Sequence, residues 1–124
     1  MMEALKISAT EDSPEIIFDP ANNIFQISKR SLPEDATGFY EPVIGWLNTY
    51  KGEANEHTPI IFKLEYFNTA SAKQIYKILC MLEEISKEKK VTVSWYYQKE
   101  DKDMKAAGER YSKLLVLKVE LMEY

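Results

Sequence analysis

Two short apolar runs near the start of the chain, Glu15-Ile16-Ile17-Phe18 and Ile24-Phe25-Gln26-Ile27, are separated by Asp19-Pro20-Ala21-Asn22-Asn23. Aspartate, proline and asparagine favour turns for separate physical reasons, so the pattern predicts a β-hairpin. Leu5 and Ile7 add a short strand before it. The period then changes. Across residues 35–51, Phe39, Val43, Trp46, Leu47 and Tyr50 recur at helical spacing, and Gly52 is placed to end the helix in a left-handed conformation. Pro42 removes a backbone donor and disfavours helix at Glu41, so the helix either starts there or is kinked there; the kink is favoured.

Residues 60–67 alternate again, with Ile60, Phe62, Leu64 and Tyr66 on one face and Lys63 and Glu65 on the other. Ile61 and Phe67 make the second face partly apolar, as expected of an internal strand. Asn68-Thr69 follows directly, two residues suited to a helix N-terminus. Behind them Ala72, Ile75, Leu79 and Leu82 form one stripe, widened by Ile78 and Ile85. Val91, Val93, Trp95 and Tyr97 predict another strand, and Asp101 and Asp103 open a short helix carrying Met104, Ala107 and Tyr111. Alternation over residues 115–121 predicts the last strand. The order is hairpin, helix, strand, helix, strand, helix, strand. Strand–helix–strand units require crossovers, so the fold class is α/β: a single domain, residues 1–124, with a mixed sheet, an N-terminal hairpin and three helices packed on it.

Composition narrows the function. The chain has 124 residues, a net charge of −4 and no basic stripe, which argues against nucleic acid as a partner. Lys87, Lys89 and Lys90 close a predicted helix, where positive charge suits the macrodipole. No run is long and apolar enough for membrane insertion, and no leader is evident, so cytoplasm is the simplest address. The single cysteine, Cys80, sits mid-helix and reads as a small buried hydrophobe. His57 is the only histidine and lies in predicted loop, so with one cysteine it supplies no zinc ligand set; no metal and no cofactor are expected. Glu83/Glu84 and Asp101/Asp103 fall where helix surfaces and helix starts normally carry acid. Four scattered glycines write no phosphate-binding loop. No catalytic set can be assembled, and the protein is expected not to be an enzyme.

One junction does carry chemistry. Phe67-Asn68-Thr69-Ala70-Ser71-Ala72-Lys73 places two hydroxyls where a strand runs into a helix. A helix N-terminus offers unpaired N–H groups and the positive end of a dipole, a natural seat for phosphate. Lys73, one turn after Thr69, is placed to pair with it. From spacing alone, Thr69 as a plain N-cap is the stronger reading.

A set of motifs shifts that balance. They are Ser13-Pro14-Glu15-Ile16 with Phe18-Asp19, Arg30-Ser31-Leu32-Pro33-Glu34, Phe39-Tyr40-Glu41-Pro42 and Trp46-Leu47-Asn48-Thr49-Tyr50. Tyr66-Phe67-Asn68-Thr69, Trp95-Tyr96-Tyr97 and Glu100-Asp101-Lys102-Asp103-Met104 with Gly108-Glu109 follow in order. Together they resemble the SiaC family of bacterial regulatory phosphoproteins, through nearly the whole chain. The resemblance implies a fold like that of anti-sigma-factor antagonists (STAS-like domains). It further implies a switch of three partners: a dedicated protein kinase, a PP2C-like phosphatase, and a diguanylate cyclase that the unmodified form binds and activates. The threonine matching the motif is Thr69, with Ser71 as the alternative acceptor and Asn68, Ser71 and Lys73 as phosphate or partner contacts. The chain departs from the family at Ala70 and Ala72, where serines are common, and at Lys102, Lys105 and Arg110, in a stretch expected to be more acidic. A constitutive interaction module and a small-molecule-binding domain are the competing readings.

Overall fold

The structure is a computed structural model describing residues 2–124. Six strands form one sheet in the order in which they occur in the chain: β1 (Leu5–Ile7), β2 (Glu15–Asp19), β3 (Ile24–Ser31), β4 (His57–Phe67), β5 (Lys90–Tyr97) and β6 (Val119–Glu123). The first two pairings are antiparallel and the other three are parallel. Each parallel step is bridged by a helix: α1 (Ala36–Tyr50), α2 (Thr69–Ser86) and α3 (Lys102–Leu114). Three crossovers of the usual right hand, all stepping in one direction across the sheet, put their helices on the same face. Burial agrees. Ile60, Phe62, Val93 and Trp95 are fully covered, whereas Ile61, Ser94 and Tyr96 on the opposite side are only half-buried.

The hairpin forms as the turn residues predict. The Asp19 carboxylate accepts from the backbone N–H and the side-chain amide of Asn22 at 3.3 and 2.8 Å, and Asn23 takes the left-handed conformation. These hydrogen bonds, led by the Asn22 side chain, lower the Asp19 pKa below the usual carboxylate value. The α2 stripe is also as predicted, with Ile75, Ile78, Leu79, Leu82 and Ile85 buried. Cys80 on its flank is half-buried and packs against the core.

Several expectations are corrected. Of the two readings at Pro42, the one in which the helix starts there is excluded, because α1 runs from its Asp35 N-cap past the proline to Tyr50. Gly52 is not left-handed. The chain tightens instead, with Gly52 N–H donating to the Thr49 carbonyl and Glu53 N–H to that of Tyr50, so the last carbonyls are satisfied without a positive φ. Tyr66 leaves the core face it was expected to share. A β-bulge opposite Lys29/Arg30 adds Glu65 to β4, so Tyr66 emerges 50% exposed while Phe67 turns in against Trp95. His57 opens β4 rather than sitting in a loop, its ring paired with the Thr92 hydroxyl.

The last strand begins at Val119, four residues later than the alternation suggested. Leu115 and Leu117 are buried as alternation requires, but the Glu83 carboxylate accepts from the N–H groups of Val116 and Leu117 at 2.6 and 2.9 Å. Those donors are lost to the sheet ladder.

Candidate functional site

The junction between β4 and α2 is held by β3 and α1. Asn68 N–H donates to the Ser31 carbonyl at 3.0 Å, which fixes the end of β4 beside the end of β3. The Asn68 side-chain oxygen accepts from Ser71 N–H at 2.8 Å, making Asn68, not Thr69, the N-cap of α2. Beneath it, the Ser31 hydroxyl donates to the Ser71 hydroxyl at 2.9 Å and lies 2.6 Å from the Tyr40 hydroxyl. All three side chains are fully buried. With Ser31 donating to Ser71, the Tyr40 phenol donates to Ser31, and burial pushes its pKa up to about 12. The phenol therefore stays protonated as a donor through the neutral range.

This arrangement sorts the expected site residues. Thr69 is the first residue of α2, exposed, with a hydroxyl that makes no hydrogen bond among the described residues. Ala70 beside it is also exposed. As the first two helical residues, Thr69 and Ala70 have N–H groups with no intrahelical acceptor, and the cap satisfies only that of Ser71. Lys73 is exposed one turn on. Ser71 is corrected both as alternative acceptor and as phosphate contact: its hydroxyl is sealed under the helix end and committed to Ser31. The Asn68 side-chain oxygen is committed to the cap.

A cleft of about 280 Å³ opens beside the junction, with Tyr66 and Phe67 as one wall and Met104, Ala107 and Arg110 of α3 as the other. Glu65, Asp101 and Asp103 line it as well. Below it, the Tyr111 hydroxyl donates to the Ala72 carbonyl at 2.9 Å, linking α3 to the first turn of α2. Burial raises the Tyr111 pKa to about 12, against the opposing charge of Arg110. Among the described residues no cluster of histidine, cysteine or carboxylate side chains is suited to a metal. No helix among them is long and apolar enough to cross a membrane.

Ser31 and Tyr40 lie outside the set of site residues that the sequence predicts. One signal could have found their partner: Ser71 stands a turn ahead of Ile75 and Ile78 on the buried side of α2, a polar residue in an apolar stripe. Ser31 likewise falls in phase with Phe25 and Ile27.

A single helical layer over one face of a sequentially ordered mixed sheet, with an uncommitted threonine heading its central helix, places the chain among small α/β proteins built around one strand-to-helix junction. Residues 7–124 match the family of SiaC regulatory phosphoproteins, and the chain belongs to that family. Its structure is similar to that of SiaC of Pseudomonas aeruginosa, with a TM-score of 0.88 and 22% identity, covering 99% of this chain and 100% of the other. It is equally similar, at TM-score 0.88 and 22% identity over 97% of this chain and 99% of the other, to a chain in the crystal structure of the diguanylate cyclase SiaD with its activator SiaC. An uncharacterised protein of P. aeruginosa strain UCBPP-PA14 is 25% identical over 111 residues, 89% of this chain and 88% of its own.

Proposed function

We propose that this protein is a phosphorylation-controlled activator of a diguanylate cyclase. The unmodified form binds and activates the cyclase. A dedicated kinase phosphorylates Thr69 and blocks binding, and a PP2C-like phosphatase reverses the modification. The observation that carries this reading is the state of Thr69: exposed at the first position of α2, with a hydroxyl engaged in no hydrogen bond among the described residues. The capping duty that would make it merely structural belongs to Asn68.

The physics of the position supports a switch that acts on binding rather than on folding. Phosphate adds roughly −1.5 to −2 charges. At a helix N-terminus such charge is stabilising by about 0.3–1 kcal/mol, so the fold tolerates it. A partner docked over the same spot has to desolvate or oppose it, at a cost of several kcal/mol, and about 1.4 kcal/mol is tenfold in affinity. The phosphorylated form is therefore expected to bind its cyclase roughly a hundredfold more weakly or worse. Thr69→Ala should bind like the unmodified protein and Thr69→Asp less well, with both melting close to wild type. Phosphopeptide mapping from the native host and calorimetry of both forms against the host's cyclase test the proposal. Equal affinity of the two forms would leave a constitutive interaction module.

A further inference from the structure

The two edges of the sheet differ. At one edge β1 has only three residues, and the chain just before it is tied to α1, where the Trp46 indole N–H donates to the Glu3 carbonyl at 3.0 Å. At the other edge the Tyr124 N–H donates to the Tyr97 carbonyl at 3.0 Å. Backbone groups of successive strand residues point to alternate sides, so Glu120, Met122 and Tyr124 bond to β5. Val119, Leu121 and Glu123 therefore turn their N–H and C=O groups away from the sheet. Among the described residues no further strand or turn pairs with them. Glu83 takes the Leu117 N–H just ahead of them, so the free run begins at Val119.

An open edge is a template for another strand unless proline, a bulge or unpaired charge blunts it. β6 contains no proline, and its register with β5 runs without a shift. Lys118 and Glu120 neutralise each other across 3.6 Å. Beside the edge the surface is apolar: on the open face of the sheet Met122 is 36% and Tyr124 45% exposed, and the Tyr124 ring packs edge-on against Tyr96 with centroids 6.0 Å apart.

We infer that β6 pairs antiparallel with β6 of a second copy of this chain, about a two-fold axis at Leu121, so that two sheets join into one. The inference does not depend on the function proposed above. The register selects a second copy as the occupant. The three free residues are spaced symmetrically about Leu121, so Val119 meets Glu123 of the second copy, Leu121 meets its own counterpart, and every free donor finds a free acceptor. On the open face Met122 then lies opposite Glu120 of the second copy and Tyr124 opposite Lys118, with no like charges directly opposed. The helical layer fits as well. A Cβ on Gly108 would lie 2.5 Å from both the Leu121 and the Trp95 side chains, so α3 sits over the gap between β5 and β6. With strands about 4.8 Å apart, α3 and its copy come to roughly 9–10 Å, the ordinary spacing of packed helices. Ala107 and Arg110 face the cleft towards β4, and Tyr111 reaches α2, which leaves Lys105 and Glu109 on the side towards the edge. An antiparallel copy of α3 brings those opposite charges together across the axis.

The test is the oligomeric state of the full chain. Sedimentation from about 10 μM to about 1 mM, the weak end of specific association, should show monomer passing to dimer and stopping there, because a two-fold axis closes. Met122→Glu sets a glutamate opposite Glu120 of the second copy, twice in each dimer, and should weaken association by about fivefold or more. Met122→Lys removes the same apolar side chain but sets a lysine there, and should tighten it. Met122 is exposed, so both variants should melt like wild type. As concentration rises, the amide protons of Val119, Leu121 and Glu123 should shift far more than those of Glu120, Met122 and Tyr124, which are already bonded to β5. A dimer that responds equally to the two variants, or shifts gathered on the helices, would place self-association elsewhere and overturn the inference. A chain still monomeric at about 1 mM would overturn it too, leaving the β6 edge to a strand of another protein.

Discussion

Ser31 joins three parts of the molecule: its carbonyl accepts from Asn68, and its hydroxyl meets Ser71 of α2 and Tyr40 of α1. Removing one member of a buried, fully satisfied network leaves the others without partners, at about 1–3 kcal/mol each. Ser31→Ala and Tyr40→Phe are each expected to lower unfolding free energy by that order in urea titrations. Because the two share a hydrogen bond, the double variant should lose less than the sum. Amide exchange at residues 69–72 should quicken in Ser31→Ala ahead of the rest of α2. Additive losses, or unchanged exchange at the junction, would show that the network does not hold the end of α2 in place.

Two elements keep features that local propensity opposes. Pro42 inside α1 deprives the Gly38 carbonyl of its helical partner. The position is exposed, so Pro42→Ala restores the bond without disturbing the core. A gain of about 1–3 kcal/mol is expected, less any entropy that the proline removes from the unfolded chain, and a melting curve reads it directly. The linker from α3 to β6 depends instead on Glu83, which takes two backbone donors from it. Glu83→Ala should cost about 1 kcal/mol, since water reaches the exposed Val116, and should speed exchange of the Val116 and Leu117 amides. Unaltered protection there would contradict the role given to Glu83.

At the scale of the whole molecule, the phenols set an alkaline limit. Tyr40 and Tyr111 titrate near 12 in the folded protein because burial disfavours their ionised forms, whereas the unfolded chain ionises them near 10. Their folded pKa values are raised, so their contribution is intact below about pH 10 and is lost as pH rises from there towards 12. Urea titrations at pH 8 and pH 11 should show lower stability at the higher pH, with a smaller drop in Tyr111→Phe than in wild type. An equal drop in both would mean that Tyr111 does not ionise differently on folding.

Much of this architecture is legible in the order of residues because it rests on local periodicity. The hairpin signal at 19–23, the α2 stripe from Ile75 to Ile85 and the alternation of Val91, Val93, Trp95 and Tyr97 each state one face, and the crossovers impose the mixed sheet. The placement of Thr69 at the start of α2 is legible for the same reason: alternation ends where the helical stripe begins. What only the tertiary structure decided are the features that depend on distant partners. The bulge at Glu65 arises from pairing with β3 and turns Tyr66 outward. The late start of β6 follows from a carboxylate on α2, more than thirty residues away in the chain. The fates of the two hydroxyls at the junction were decided in the same way. Ser31, held in turn by Tyr40, reaches Ser71 and seals it in, while among the described residues no side chain hydrogen-bonds the Thr69 hydroxyl. Spacing along a chain records which face a residue takes, but a hydroxyl's availability depends on what lies opposite that face once the layers have packed.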